Sequence, residues 1–327
     1  MINIGLIGAG GVGRIHLNNA LQLRNGRLVA VADISKKHRS FAKAKGVEVV
    51  YGNYQDLLEN PAIDCVIIAL PTFLHSECAI LAAENGKHVF IEKPLARNVK
   101  EGTEIVSKTR KAGVEIMVGY PLRFSKFAKI KKEIDIGHLG DIITAIATNM
   151  SSGPFFQRIS NGIPSPVPSW WFERKLVGGG ALIDLGSHMI NLLRYYFEDE
   201  IVGVKSFLDH RFNMPFEDHA VCFIEFKKGV SAIVNVGWHL PYHLIGVELY
   251  GTAEHMSEIS RPPTMIDYAK SIVTRQSLEN PPEFSKELQY FIECLKSGRS
   301  PSPSAEEALK DLEVVSTAYK NVIKLDS

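Results

Sequence analysis

Over the first 120 residues, short apolar runs alternate with stretches of helical period, and this alternation restricts the possible folds more than any other feature of the chain. The runs lie at residues 2–7, 28–32, 65–70, 88–91 and 116–118. Between them, residues 14–23, 37–44, 75–85 and 100–112 carry helical periodicity. A strand buried on both faces reads as a continuous apolar run, and a helix between two such strands returns the chain for parallel pairing. The expectation is a doubly wound α/β domain, a parallel sheet covered by helices on both faces.

After Pro121 the pattern changes. Residues 126–134 predict a helix and 142–150 a strand, whereas 151–169 is too rich in Pro, Gly and Ser to be regular. Residues 181–197 form a strongly amphipathic helical pattern. Strand patterns at 201–209, 219–226, 230–238 and 245–250 then follow one another without helices, which implies antiparallel pairing. Two helices, 285–296 and 304–323, close the chain, with Pro301-Ser302-Pro303-Ser304 supplying the stop and the N-cap. Two domains are expected, 1–121 and 122–327, with the terminal helix free to pack back on the first.

Composition limits the classes of partner. Lys+Arg is 37 and Asp+Glu is 36, so there is no net field to attract nucleic acid or an anionic membrane. No apolar run approaches the ~20 residues of a spanning helix. The N-terminus reads as a first strand rather than a signal peptide. The four cysteines are scattered without a Cys-x-x-Cys pair, as expected of free thiols in a reducing cytoplasm.

Gly8-Ala9-Gly10-Gly11-Val12-Gly13 follows the first strand and opens the first helix. This is the context a dinucleotide fingerprint requires. Gly8 permits the tight turn, Gly10 lets the backbone approach a pyrophosphate, and Gly13 lets helix and strand pack closely. Gly11 and Val12 stand at the helix N-terminus, where unpaired N–H groups favour phosphate. Asp33 and Ile34 come at the end of the second strand, 20 residues past Gly13 for the aspartate. A carboxylate there accepts from ribose hydroxyls and repels a 2′-phosphate, so NAD is favoured, with NADP left open by Ser35, Lys36 and Lys37. A glycine-rich turn without ligand is the bland alternative.

Glu92-Lys93-Pro94 follows the strand at 88–91. Ligands of open α/β sheets bind outside the carboxyl ends of the strands, so Lys93 stands where it could exchange a proton with an alcohol or carbonyl oxygen. The alternative is a surface lysine lying over the sheet edge. A second cluster runs Gly178-Gly179-Gly180-Ala181-Leu182-Ile183-Asp184-Leu185-Gly186-Ser187-His188. Its glycines suggest a flexible entry to a helix, and Asp184 and His188, four apart, share a helical face. Together they could grip hydroxyls, with His188 as proton acceptor. They could equally be an ordinary polar pair or half of a metal site, although no further cluster at ligand spacing is evident and no metal is expected. Trp170 and Trp171 could stack on a sugar ring or nicotinamide, or pack in a core.

Taken together these residues resemble the glucose–fructose oxidoreductase / inositol dehydrogenase / rhizopine catabolism family. The matches are Gly8-x-Gly10-x-x-Gly13, Asp33, Pro71-Thr72-x-x-His75, Glu92-Lys93-Pro94, Gly119-Tyr120-x-x-Arg123-Phe124 and Gly178-Gly179-Gly180-x-x-x-Asp184-x-x-x-His188. The resemblance implies a Rossmann domain followed by an α+β domain with an open, mostly antiparallel sheet, and association into homodimers or homotetramers through that sheet. It also implies that Lys93, Asp184 and His188 form the catalytic group, with His188 as general acid/base and Lys93 polarising the substrate oxygen. Pro71, Thr72 and His75 would line the dinucleotide, Glu92 and Lys93 would lie near the nicotinamide ribose, and Tyr120 and Arg123 would lie close to cofactor and substrate. Asn191 departs from the family's usual Asp. The expected function is an NAD(P)-dependent dehydrogenase of a sugar, inositol or nucleotide-linked sugar. The alternatives are redox-neutral sugar modification with tightly bound NAD and a non-catalytic NAD-binding sensor.

Overall fold

The computed structural model of the chain describes residues 1–154, 158–160, 163–165, 167–260 and 281–324, the short pieces between 158 and 165 as backbone only. The chain divides into two compact units, Met1–Phe124 with Met265–Leu309, and Ser125–Thr264 with Lys310–Ser327.

The first unit contains strands β1 (Ile2–Ile7), β2 (Gly26–Ala32), β3 (Val49–Tyr51), β4 (Cys65–Ile68), β5 (His88–Glu92) and β6 (Ile116–Gly119). All pair in parallel, in the order β3-β2-β1-β4-β5-β6. This is the doubly wound order with its reversal between β1 and β4. The crossovers carry helices α1 (Gly11–Ala20), α2 (Lys36–Ala44), α3 (Tyr54–Leu58), α4 (His75–Glu84) and α5 (Val99–Ala112). β4 is buried throughout, as its uninterrupted Cys-Val-Ile-Ile requires. Two short elements, β3 and α3, lie below the length at which periodicity is informative.

The second unit is built on β7 (Ile142–Met150), β10 (Ile201–Asp209), β11 (His219–Phe226), β12 (Ser231–Gly237), β13 (Leu244–Gly251) and β14 (His255–Ser260). Their order is β10-β11-β12-β7-β13-β14, antiparallel except for the parallel pair β12–β7. The hairpin between β8 (Arg158–Ser160) and β9 (Ile163–Ser165) corrects the reading of 151–169 as wholly irregular. The residues joining the two strands are Asn161 and Gly162, the dipeptide a two-residue hairpin prefers, so the signal was there. The helices are α6 (Ala128–Asp135), α7 (Arg174–Val177) and α8 (Ser187–Phe197), followed late in the chain by α9 (Pro282–Ser297) and α10 (Ala305–Lys320).

α9 departs from a simple division at residue 122. It belongs to the first unit, where Leu288, Phe291 and Ile292 join the core formed by Leu17, Phe90 and Met117. The apolar face of α9 thereby covers one side of the parallel sheet beside α1. Ser304 caps α10 as expected: its Oγ accepts from Glu307 N at 3.3 Å, and Glu307 Oε2 accepts from Ser304 N at 2.8 Å, a reciprocal capping box. Residues Arg174–Phe197 are apolar enough over an 18-residue window to suit a membrane, but 78% of that window is buried inside the protein. All four cysteines are buried and unpaired. Burial raises the thiols of Cys65 and Cys78 far above their ordinary range and pushes that of Cys222 up to about 12, which leaves them poor nucleophiles.

Candidate active site

In the first unit, the expected cofactor residues stand along one edge of the sheet, where β1, β2, β4, β5 and β6 end. Gly8 has φ +88°, and a Cβ there would lie 2.4 Å from Ala69 O. A Cβ on Gly13 would lie 2.1 Å from Gly8 O. Both positions exclude any side chain. At Gly11, by contrast, a Cβ would meet nothing within 4 Å, and at Gly10 its nearest neighbour would be the His38 ring at 3.4 Å. The turn is therefore closed toward the protein and open on its outer side, beside the N-terminus of α1. The site fits the phosphates of a dinucleotide.

Asp33 Oδ2 accepts from Ala9 N at 2.7 Å, and Oδ1 accepts from Ser35 N at 2.7 Å. The His38 ring lies 3.0 Å from Oδ2. These bonds hold the carboxylate against the glycine turn, where it can meet an adenine ribose. Ile34 is 91% exposed, and its hydrophobic side chain is available to a flat ligand. Pro71 and Thr72 begin a short 3-10 turn after β4 and are half-buried.

His75, expected to line the dinucleotide, also has a part in packing this edge of the sheet. It is 1% exposed, and its two ring nitrogens lie 2.9 Å from Leu70 O and 2.9 Å from Pro94 O. It ties the turn after β4 to the loop after β5, and burial holds its imidazole below the ordinary value. Lys93, half-buried, leaves β5 between buried Glu92 and Pro94. Tyr120 is buried, and Arg123 donates to Ser302 Oγ at 3.1 Å and to Glu307 Oε1 at 3.3 Å. Arg123 thus braces Ser302 and the first turn of α10, partners 179 and 184 residues away that no local pattern could indicate.

The second unit holds Asp184 and His188. In residues 179–193 every residue is buried except these two, which keep partial exposure. Leu182–Gly186 forms a π turn ahead of α8, with Ser187 N donating to Leu182 O. The spacing inferred for a regular helix is therefore set across a wider turn, a feature frequent at functional sites. The glycines before it are not a flexible entry. A Cβ on Gly179 would lie 2.2 Å from Tyr319 Oη, and one on Gly180 would lie 1.8 Å from Glu217 O. Glu217 Oε1 accepts from Gly180 N at 3.0 Å, Leu182 N at 3.0 Å and Tyr319 Oη at 2.7 Å. Burial raises the Glu217 carboxyl above its ordinary value against the opposing pull of these donors.

Trp238, overlooked in the sequence, donates from Nε1 to Asp184 Oδ2 at 3.3 Å. Trp171 stacks on Trp170 with ring centroids 5.5 Å apart and meets Trp238 edge-on at 6.1 Å. The Trp pair is therefore continuous with the aromatic wall beside Asp184. His243 and Asn149 form another unexpected pair, 2.9 Å apart, and Asn149 Nδ2 donates to Leu185 O at 3.3 Å. The only forewarning of Trp238 was its place at the end of a strand. Asn191 is buried and donates to Asp311 Oδ2 at 2.6 Å, so it secures α8 to α10. The loop expected to shape a substrate pocket includes 155–157, 161–162 and 166, which lie outside the described residues, as do the side chains of Arg158 and Pro164.

A parallel doubly wound sheet, an open glycine turn and a carboxylate at the end of β2 define an NAD-binding oxidoreductase of the Rossmann type. The chain matches the oxidoreductase family with an NAD-binding Rossmann fold over residues 2–120, and the GFO/IDH/MocA C-terminal domain over 127–257. It belongs to the glucose–fructose oxidoreductase / inositol dehydrogenase / rhizopine catabolism family. It is 29% identical to scyllo-inositol 2-dehydrogenase (NAD(+)) of Bacillus subtilis, over 96% of this chain and 92% of that one. It is 28% identical to myo-inositol 2-dehydrogenase of Thermotoga maritima, over 98% and 96%. Levoglucosan dehydrogenase, solved with NADH and levoglucosan, shares the fold with a TM-score of 0.83 at 23% identity, covering 98% of this chain and 96% of that one.

Proposed function

We propose that this enzyme oxidises a secondary alcohol of a cyclic polyol or sugar with NAD, or runs the same reaction in reverse. The observation that carries the reading is Lys93, which leaves the carboxyl end of β5 on the same sheet edge as the glycine turn and Asp33. Gly8, Gly10, Gly11, Val12 and Gly13 receive the pyrophosphate, and Asp33 with Ile34 receives the adenosine. When bound, NAD supplies the hydride acceptor. His188 takes the hydroxyl proton as the carbonyl forms and returns it in the reverse direction. Lys93 donates a hydrogen bond to the same oxygen and polarises it. Asp184, held by Trp238, accepts from a neighbouring hydroxyl, and the aromatic faces of Trp170 and Trp171 suit the C–H face of a ring. Tyr120 completes the substrate group, with Arg123 as a brace.

The names of the inositol dehydrogenases among its relatives support a polyol substrate. The balanced charge argues against a nucleic acid or membrane partner, and the unpaired cysteines suit a cytoplasmic location. We assign self-association to the outer face of the second sheet. There Phe223 of β11 is opposite Ile233 of β12, which is opposite Ile146 of β7. Phe223 is 48% exposed and Ile259 of β14 is 43% exposed.

The test is a panel of inositols, free sugars and nucleotide-linked sugars with NAD and NADP, followed by absorbance of the reduced cofactor. NAD reduction with a polyol is expected. A product formed without net change in the cofactor, or no turnover of any polyol by protein that binds NAD, would overturn the assignment.

A further inference from the structure

At the carboxyl end of β5, just before Lys93, lies a group of polar side chains to which no step of the reaction has been assigned. His16 of α1 and Glu287 of α9 are 0% exposed, and Glu92 at the end of β5 is 7% exposed. One ligand atom from each lies within 4.8 Å of the others. His16 Nε2 is 2.6 Å from Glu92 Oε1. Phe90 and Phe284 meet the His16 ring edge-on, at 5.3 and 5.8 Å between centroids. Both carboxyl oxygens of Glu287 and the Nδ1 of His16 lack a hydrogen-bond partner among the described residues.

Charge decides what such a group can be. An ionised Glu287 would be a second carboxylate within 4.8 Å of Glu92, fully buried and without a donor among the described residues, a costly arrangement. Burial first, then the charges of Glu92 and Glu283, drive its carboxyl well above the ordinary value. A cation would also neutralise the cluster, but the 2.6 Å contact between His16 and Glu92 has the length of a hydrogen bond. A proton shared along that contact accounts for its length without a metal.

We propose that Glu287 is an uncharged carboxylic acid and a positioning residue: with His16 it holds the Glu92 carboxylate, and through it the backbone that presents Lys93. The proton gives the cluster a second donor within 4.8 Å of the Glu92 carboxylate, so the end of β5 is tied to both α1 and α9. The link to turnover rests on the role given to Lys93 above, whereas the protonation state of Glu287 does not.

Two readouts test the proposal separately. Infrared spectra of the whole enzyme near neutral pH should contain a protonated-carboxyl carbonyl band, and Glu287→Gln should remove it. Kinetics should then split. Glu287→Met, of similar length but without a donor, should lower kcat by about tenfold through misplacement of Lys93 while leaving the dissociation constant for NAD unchanged. Glu287→Gln, whose amide supplies a donor, should restore turnover. Absence of the band from the wild-type enzyme would overturn the proposal, even if a variant failed to fold. So would wild-type kcat in Glu287→Met, equal damage from Gln and Met, or a stoichiometric divalent ion that a chelator removes and Glu287→Gln no longer binds.

Discussion

Asp184 and His188 are the two polar, partly exposed residues in a segment otherwise closed to solvent, and Lys93 is the ammonium on the sheet edge of the other unit. Lys93→Met and His188→Ala should each lower kcat by about 10²–10⁴-fold, the range of a lost proton-transfer group. NAD binding, followed by fluorescence titration, should survive, because neither residue forms the glycine turn. Glu287 makes a thermodynamic prediction. Its folded-state pKa is raised, so the folded protein keeps a proton that the unfolded chain releases above about 4.3. Between that value and the folded pKa its contribution makes stability fall as pH rises, by up to about 1.4 kcal/mol per pH unit. Glu287→Gln has no proton to release. Its unfolding free energy, from urea titrations at several pH values, should decline less steeply than that of the wild type, and the two should converge toward the acid end.

At the scale of elements, the glycine run before the π turn is a packing device. Glu217, Tyr319 and the backbone of residues 179–182 form one buried knot that sets where α8 begins and how Asp184 is presented. Gly180→Ala would place a methyl group 1.8 Å from Glu217 O, a clash with backbone that no rotamer relieves. The expected result is destabilisation by several kcal/mol, in the range of about 1–3 kcal/mol or more for overpacking, read from the denaturant midpoint. Gly11→Ala, where the space is open, should leave stability nearly unchanged and weaken NAD binding instead. The contrast separates glycines that serve packing from those that leave room for a ligand.

At the scale of the whole molecule, one face of the second sheet is packed, and the other keeps partly exposed apolar side chains among the described residues. β11 shows the division: Ala220, Cys222, Ile224 and Phe226 are buried, while Phe223 and Glu225 are exposed. The association proposed for this face rests on its partly exposed row of apolar side chains across several strands. Phe223→Glu should shift the enzyme to a smaller species in sedimentation velocity, with the circular dichroism spectrum of the fold unchanged. An unchanged sedimentation coefficient would remove this face from the assembly.

Local pattern carried much of this protein. The alternating runs of the first 120 residues determined the parallel sheet, because buried strands and covering helices differ in period and length. The strands at 142–150, 201–209 and 219–226 were legible to the residue for the same reason. That the glycine turn, Asp33 and Lys93 stand at the carboxyl ends of strands was legible because the strand–turn–helix pattern fixes where each strand stops. The tertiary structure alone decided where α9 packs, that His75 and Arg123 are braces, and that Trp238 reaches Asp184. It also decided that His16, Glu92 and Glu287 share one buried cluster. Each of these joins residues far apart in the chain, and whether a polar side chain grips a ligand or a distant backbone depends on contacts that periodicity cannot encode.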